Sequence, residues 1–160
     1  MNSKPFCKPA PRLRPGLGNV LVACLVCQSA VAQLTTNGWQ PTGSAAGGYW
    51  TNTANWAPAV PNSATDVALF TNDYTANFAV TQDVSVAVNG IIYNDIGGGT
   101  DSQFDLRPLA GATLTFAGTS PFIQNSAGSY IQIYTPVDVG ADGLSKSGGN
   151  VRIYGAITGS

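Results

Sequence analysis

Tyr130-Ile-Gln-Ile-Tyr134 and Val151-Arg-Ile-Tyr154, preceded by Ala112-Thr-Leu-Thr-Phe116, decide the fold of this 160-residue chain. Each alternates apolar and polar residues with a period of two, which marks a strand with one buried side. Leu114, Ile133 and Ile153 hold comparable places in them, 19 and 20 residues apart, and Tyr93 precedes Leu114 by 21. A recurrence near 20 residues predicts the start of a right-handed parallel β-solenoid, each coil laying its strands beneath those of the last. The alternation sends the Thr, Gln and Arg positions outward. An antiparallel β-sandwich is the alternative, since its strands also return at short regular spacing with turn signals between them.

The rest of the chain reads the same way. Further strand signals lie at 67–70 (VALF), 84–88 (VSVAV) and 91–93 (IIY). They are β-branched or aromatic and are bounded by Gly, Asn, Asp, Ser or Pro. After Gln33 no segment keeps apolar residues at helical spacing over three turns, and Gly and Pro break every long run. The fold class is all-β.

Residues 1–18 hold Lys4, Lys8, Arg12 and Arg14, four of the seven basic residues, and no acid. An apolar run follows at 20–26 (VLVACLV) and ends in Ala30-Val31-Ala32. A basic n-region, a short apolar stretch and an A-x-A site make a secretory signal peptide over residues 1–32. Export to the extracellular space or cell surface is therefore expected, with cleavage near Ala32. The apolar run is too short for a bilayer core of ~30 Å, which takes ~20 residues, so no transmembrane helix is expected. Leu21-Val22-Ala23-Cys24 has the form of a lipobox, but Asn19 interrupts the apolar stretch before it, which favours plain cleavage over lipidation.

Residues 33–160 contain no Cys, His, Glu or Met. A thiolate nucleophile, an imidazole base, a zinc cage and a glutamate pair are all excluded. No enzyme activity and no cofactor or metal are expected. Three basic residues (Arg107, Lys146, Arg152) stand against eight aspartates, a net charge of −5. Without a basic cluster, nucleic-acid binding is not expected. An exported chain without cysteines depends on burial and backbone hydrogen bonds instead of disulfides. The expected organisation is a cap module over 33–80 and solenoid coils over 81–160, cut short at the C-terminus.

Residues 143–155 (GLSKSGGNVRIYG) resemble the autotransporter-associated β-strand repeat, which runs Leu-x-Lys-x-Gly, then an alternating apolar strand, then a closing Gly. Leu144, Lys146 and Gly148 match its first part, and Val151, Ile153 and Gly155 its second. Asn150 departs from the usual Gly-Thr, and 156–159 (AITG) is shorter than the usual turn. Trp50-Thr-Asn-Thr-Ala-Asn-Trp56, then Pro58 or Pro61 and Asp66-Val-Ala-Leu-Phe70, is similar to the module that precedes such repeats in secreted bacterial proteins. The resemblance implies a β-solenoid passenger, stalk or adhesin-like segment at the cell surface. Surface polysaccharide or other repeat segments are the partners it implies.

Few residues are candidates for chemistry. Trp39, Trp50 and Trp56 are expected to plug one end of the solenoid, because large rings bury much area there. On the alternative reading they form a sugar-stacking platform, with at least one ring exposed. The aspartates are Asp66, Asp73, Asp83, Asp95, Asp101, Asp105, Asp138 and Asp142. Most sit beside Gly, Asn or Thr and suit turns, where the carboxylate bonds nearby backbone. As a carboxylate pair for glycoside chemistry, Asp101 with Asp105, or Asp83 with Asp105 across coils, is the best available. Gly97-Gly98-Gly99-Thr100-Asp101 resembles a calcium nonapeptide, but its fourth Gly is missing and it occurs once, so it reads as a turn. Arg107 is expected to pair at the surface with Asp105 or Asp101.

Overall fold

Phe78, Val80 and Gln82 point inward from a strand whose Ala79 and Thr81 are half-exposed. The same alternation shapes the other long strands. The structure is a computed structural model that describes residues 32–40, 47–73, 76–96 and 103–159. Almost all of the signal-peptide segment, together with Gly97 to Asp101, lies outside the described residues.

Twelve strands are described: β1 (Thr35–Trp39), β2 (Gly48–Tyr49), β3 (Trp56–Ala57), β4 (Ser63–Asn72), β5 (Phe78–Gln82), β6 (Val86–Asp95), β7 (Gln103–Pro108), β8 (Leu114–Phe116), β9 (Phe122–Ile133), β10 (Val137–Asp138), β11 (Ser145–Ile153) and β12 (Ile157–Thr158). One 3₁₀ turn, Thr53–Asn55, interrupts them. All strand pairings are parallel except that of β1 with β3. An antiparallel sandwich is therefore overturned, and the chain is a parallel β-solenoid.

Each coil passes through three faces. The first face stacks β1, β4, the second half of β6, the start of β9 and the start of β11. The second stacks β2, β5, β7 and the ends of β9 and β11. The third stacks the start of β6 on β8, β10 and β12. Parallel coil pairing already begins with β4 and β5, ahead of residue 81.

In-register stacking puts like side chains over like. Val80, Leu106, Ile133 and Ile153 form one column. Val86, Leu114, Val137 and Ile157 form another. The expectation that Leu114, Ile133 and Ile153 stack together holds only for the last two, because Leu114 belongs to the third face and Ile133 to the second. Tyr93 likewise lies between Phe70 and Asn125, away from Leu114. The spacing near 20 arose from strands on different faces. True coil steps along the Val80 column are 26, 27 and 20 residues, so only the last matches the expected length. The extra residues sit at corners, outside the hydrogen-bonded ladder, where a coil can lengthen without shifting register.

The core fills with rings at the N-terminal end and aliphatic residues below. Phe70 lies 4.3 Å from Phe104, which stacks on Phe78 at 5.0 Å and on Tyr93 at 5.8 Å, centroid to centroid. Beneath them Ile123, Ile131, Ile133 and Val137 are buried. Corners need polar side chains, because carbonyls there leave the ladder and must still be satisfied. The Gln82 amide nitrogen donates to the carbonyls of Val84 (3.1 Å) and Thr113 (2.8 Å). That of Asn89 donates to Ala117 (3.1 Å) and Thr119 (3.2 Å), and that of Asn125 to Asn150 (2.8 Å). All three side chains are buried.

Phe104 touches rings from the coils around it, so Phe104→Ala leaves a cavity that no single neighbour can fill. Urea denaturation should show a loss of about 3–5 kcal/mol, whereas a loss under about 1 kcal/mol would show that the ring stack does not hold the coils together.

Candidate functional site

At the N-terminal end β1 lies parallel to β4 on one edge and antiparallel to β3 on the other, which brings Trp39 opposite Trp56. Asn52 makes this return possible. Its side-chain oxygen accepts the Ala54 N–H at 3.1 Å and so caps the 3₁₀ turn. Asn55 then donates from its amide to the Tyr49 carbonyl at 3.2 Å. Asp83, just after β5, accepts the Thr51 N–H at 3.1 Å and the Thr51 hydroxyl as well, tying the turn to the first coil.

Inside this lid the three indoles meet. Trp56 is 5.0 Å from Trp39 and 4.9 Å from Trp50, and all three lie within 6.3 Å of Phe70. Trp50 Nε1 donates to the Pro61 carbonyl at 3.0 Å, and Trp56 Nε1 to the Trp50 carbonyl at 2.7 Å. Their exposures are 3%, 0% and 5% for Trp39, Trp50 and Trp56. No indole face is presented to solvent, so the sugar-stacking platform on these residues is set aside and they act as an end cap.

The repeat-like segment occupies the last described coil. Leu144, Val151 and Ile153 are half-buried against the core, with Val151 beneath Ile131 and Ile153 beneath Ile133. Lys146 stands in register with the inward Ile123, and its ammonium donates to the Gly148 carbonyl at 2.7 Å. Gly148 has φ +76° and lies against the backbone of Asn125, whose carbonyl a Cβ would strike. Gly155 meets the Thr135 carbonyl in the same way. These two glycines are required by close approach between coils.

The aspartates are dispersed. Asp66 accepts the Asn62 N–H at 2.9 Å, and Asp138 accepts that of Gly140 at 3.0 Å, both local turn contacts. Asp95 is buried, whereas Asp73 and Asp142 are exposed. Asp105 lies beside Ala79 in the ladder and Gln82 beside Pro108. Asp83 is thus displaced about 13 Å along the strand from the position opposite Asp105, and the suggested pair does not form. Asp101 lies outside the described residues. Among the described residues no three acidic side chains gather as a metal site would need.

Asp105 belongs instead to an ordered polar grid on the outside of the second face. Its carboxylate accepts from Gln103 Nε2 and from an Arg107 guanidinium nitrogen, each at 2.7 Å. The Arg107 side chain is 61% exposed, as a surface pair implies, but that of Asp105 is only 6% exposed. On the coil below, Tyr134 Oη donates to Gln132 Oε1 at 2.6 Å, and Gln132 Nε2 donates to Gln103 Oε1 at 3.0 Å. Arg107 lies 5.9 Å above the Tyr134 ring, which stacks at 4.9 Å and 11° on Tyr154 of the next coil. Arg152 lies 4.4 Å from the ring of Tyr130.

Outward Gln132 and Arg152 were legible from alternation in the two quoted strands. Tyr134 and Tyr154 were legible only as strand ends, because their stacking depends on a register that spacing alone misassigned. Compared with models of known families, with curated proteins and with solved structures, the chain finds no match.

Gly148→Ala should lower the unfolding free energy by about 2–3 kcal/mol, read as a drop in melting temperature. Gly143→Ala is the control: Gly143 also has positive φ, at +71°, but no atom would lie within 4 Å of its added Cβ. Equal losses in the two variants would show that backbone conformation, and not contact with Asn125, sets the requirement.

Proposed function

We propose that this chain is an exported structural segment of a bacterial surface protein, serving as a passenger, stalk or adhesin-like spacer without catalysis of its own. The observation that carries this reading is the in-register stacking of coils behind a cap filled with tryptophan. In such a stack each coil contacts only its neighbours, so a rod is lengthened by adding coils and its paired backbone resists proteases. The resemblance to the autotransporter-associated β-strand repeat supports the same reading. Its matching residues span one coil, and Gly148 and Gly155 fall where coils approach most closely. The basic and apolar leader over residues 1–32 supports export. Surface polysaccharide and further repeat segments are the partners such a rod would meet.

Produced with its own leader in a bacterial host, the chain should leave the cytoplasm and begin at Gln33 by N-terminal sequencing. Retention in the cytoplasm with the leader intact would overturn export. Incubation with a panel of polysaccharides should release no new reducing or unsaturated ends, and their appearance would overturn the non-catalytic reading.

A further inference from the structure

The outer side of the second face differs in charge from the rest of the molecule. Residues 33–160 carry a net charge of −5, yet two of their three cations, Arg107 and Arg152, stand on this one face. Asp105 offsets Arg107. Arg152 has no carboxylate within ion-pairing distance among the described residues, which leaves the face with one net positive charge. Its neighbours are aromatic and amide groups. By register, Gln103 lies above Tyr130 and Asn150, Asp105 above Gln132 and Arg152, and Leu106 above Ile133 and Ile153, which brings Arg107, Tyr134 and Tyr154 into line.

We infer that this face binds an acidic polysaccharide, with the carboxylate of a uronate unit on Arg152 and a sugar ring against Tyr154. The Tyr130 ring covers one side of the Arg152 guanidinium and leaves its in-plane N–H donors for a planar carboxylate. Tyr154 is 55% exposed and Tyr134 38%. Parallel rings with centroids 4.9 Å apart are offset, so the pair forms a shingled apolar step on which the C–H side of a pyranose can rest. Arg152 and Tyr154 leave the same side of one chain segment about 7 Å apart, within the span of one or two sugar units. Asn150 and the Tyr130 edge flank them with groups suited to sugar hydroxyls.

The site is also preorganised. Tyr134 is held by Gln132, Gln132 by Gln103, and Gln103 by Asp105, so little side-chain freedom is lost on binding. Nucleic acid fits poorly, because a single uncompensated cation cannot neutralise a run of phosphates. An acidic peptide fits less well than a sugar polymer, because peptides seek a sheet edge or a groove and this surface is the flat middle of a sheet.

Native affinity electrophoresis of the purified chain tests the inference in gels containing polygalacturonate, neutral dextran or poly-L-glutamate. Polygalacturonate alone should retard the protein. Arg152→Gln and Tyr154→Ala should each weaken that retardation roughly tenfold. Tyr154→Phe keeps the ring and should bind as the parent does. Lys146→Gln removes a cation from the first face and should change nothing. Both altered side chains are exposed, and circular dichroism melting reads folding separately. The inference fails if polygalacturonate does not retard the parent chain, or if dextran or polyglutamate retards it equally. It also fails if Arg152→Gln binds as well as the parent, or if Lys146→Gln weakens binding as much as Arg152→Gln. None of these outcomes bears on export, which is tested by leader cleavage.

Discussion

Parallel pairing from coil to coil is the constraint on which everything else in this chain depends. The backbone N–H and C=O groups of each strand point along the stack, so a coil satisfies them only through the coils above and below. Register is then not adjustable. Once Val80 pairs with Leu106, and Leu106 with Ile133, every other position on the second face is set, including the outward ones. A slip of one residue would turn the interior column out and the grid of Gln103, Asp105 and Arg107 in. Variation is confined to the corners, where coil length changes and Gln82, Asn89 and Asn125 satisfy carbonyls that the ladder releases.

The two ends of the stack meet this constraint differently. At the first coil β3 folds back antiparallel on β1, and the turn around Asn52 covers β2, so the exposed backbone edges are occupied. Under that lid the three indoles continue the ring stack of Phe70 and Phe104 without a gap. The last described coil instead presents half-buried Val151 and Ile153, with Lys146 in the inward register of Ile123. A charged side chain at an inward edge position discourages pairing by stray strands. Its four-carbon stem can still lie over apolar neighbours.

Outward residues follow from the same register, which makes the exterior as ordered as the core. On the second face a row of Arg107, Tyr134 and Tyr154 runs along the stack, braced by amides from two coils. An isolated strand could not hold such side chains in line. Here the coil spacing of about 4.8 Å matches the separation of stacked rings, and so the ladder carries its order to the surface. The arrangement places an arginine without an acid partner beside a flat aromatic step on a chain that is otherwise acidic.

The sequence by itself determined the all-β class, the inward and outward sides of the quoted strands and the lack of His, Glu and Cys in residues 33–160. Those features are local: a period of two and a residue's chemistry do not depend on what lies across the fold. Only the tertiary structure decided which strands share a face. Leu114, Ile133 and Ile153 look equivalent along the chain, yet a coil of three strands lets residues about 20 apart fall on different faces when corner lengths vary. The burial of Trp39, Trp50 and Trp56 was likewise decided by the antiparallel return of β3, since an aromatic near a chain end suits a cap or an exposed platform equally well. The Tyr134–Tyr154 stack needed coil register, a long-range property that appears only when every backbone hydrogen bond has found its partner.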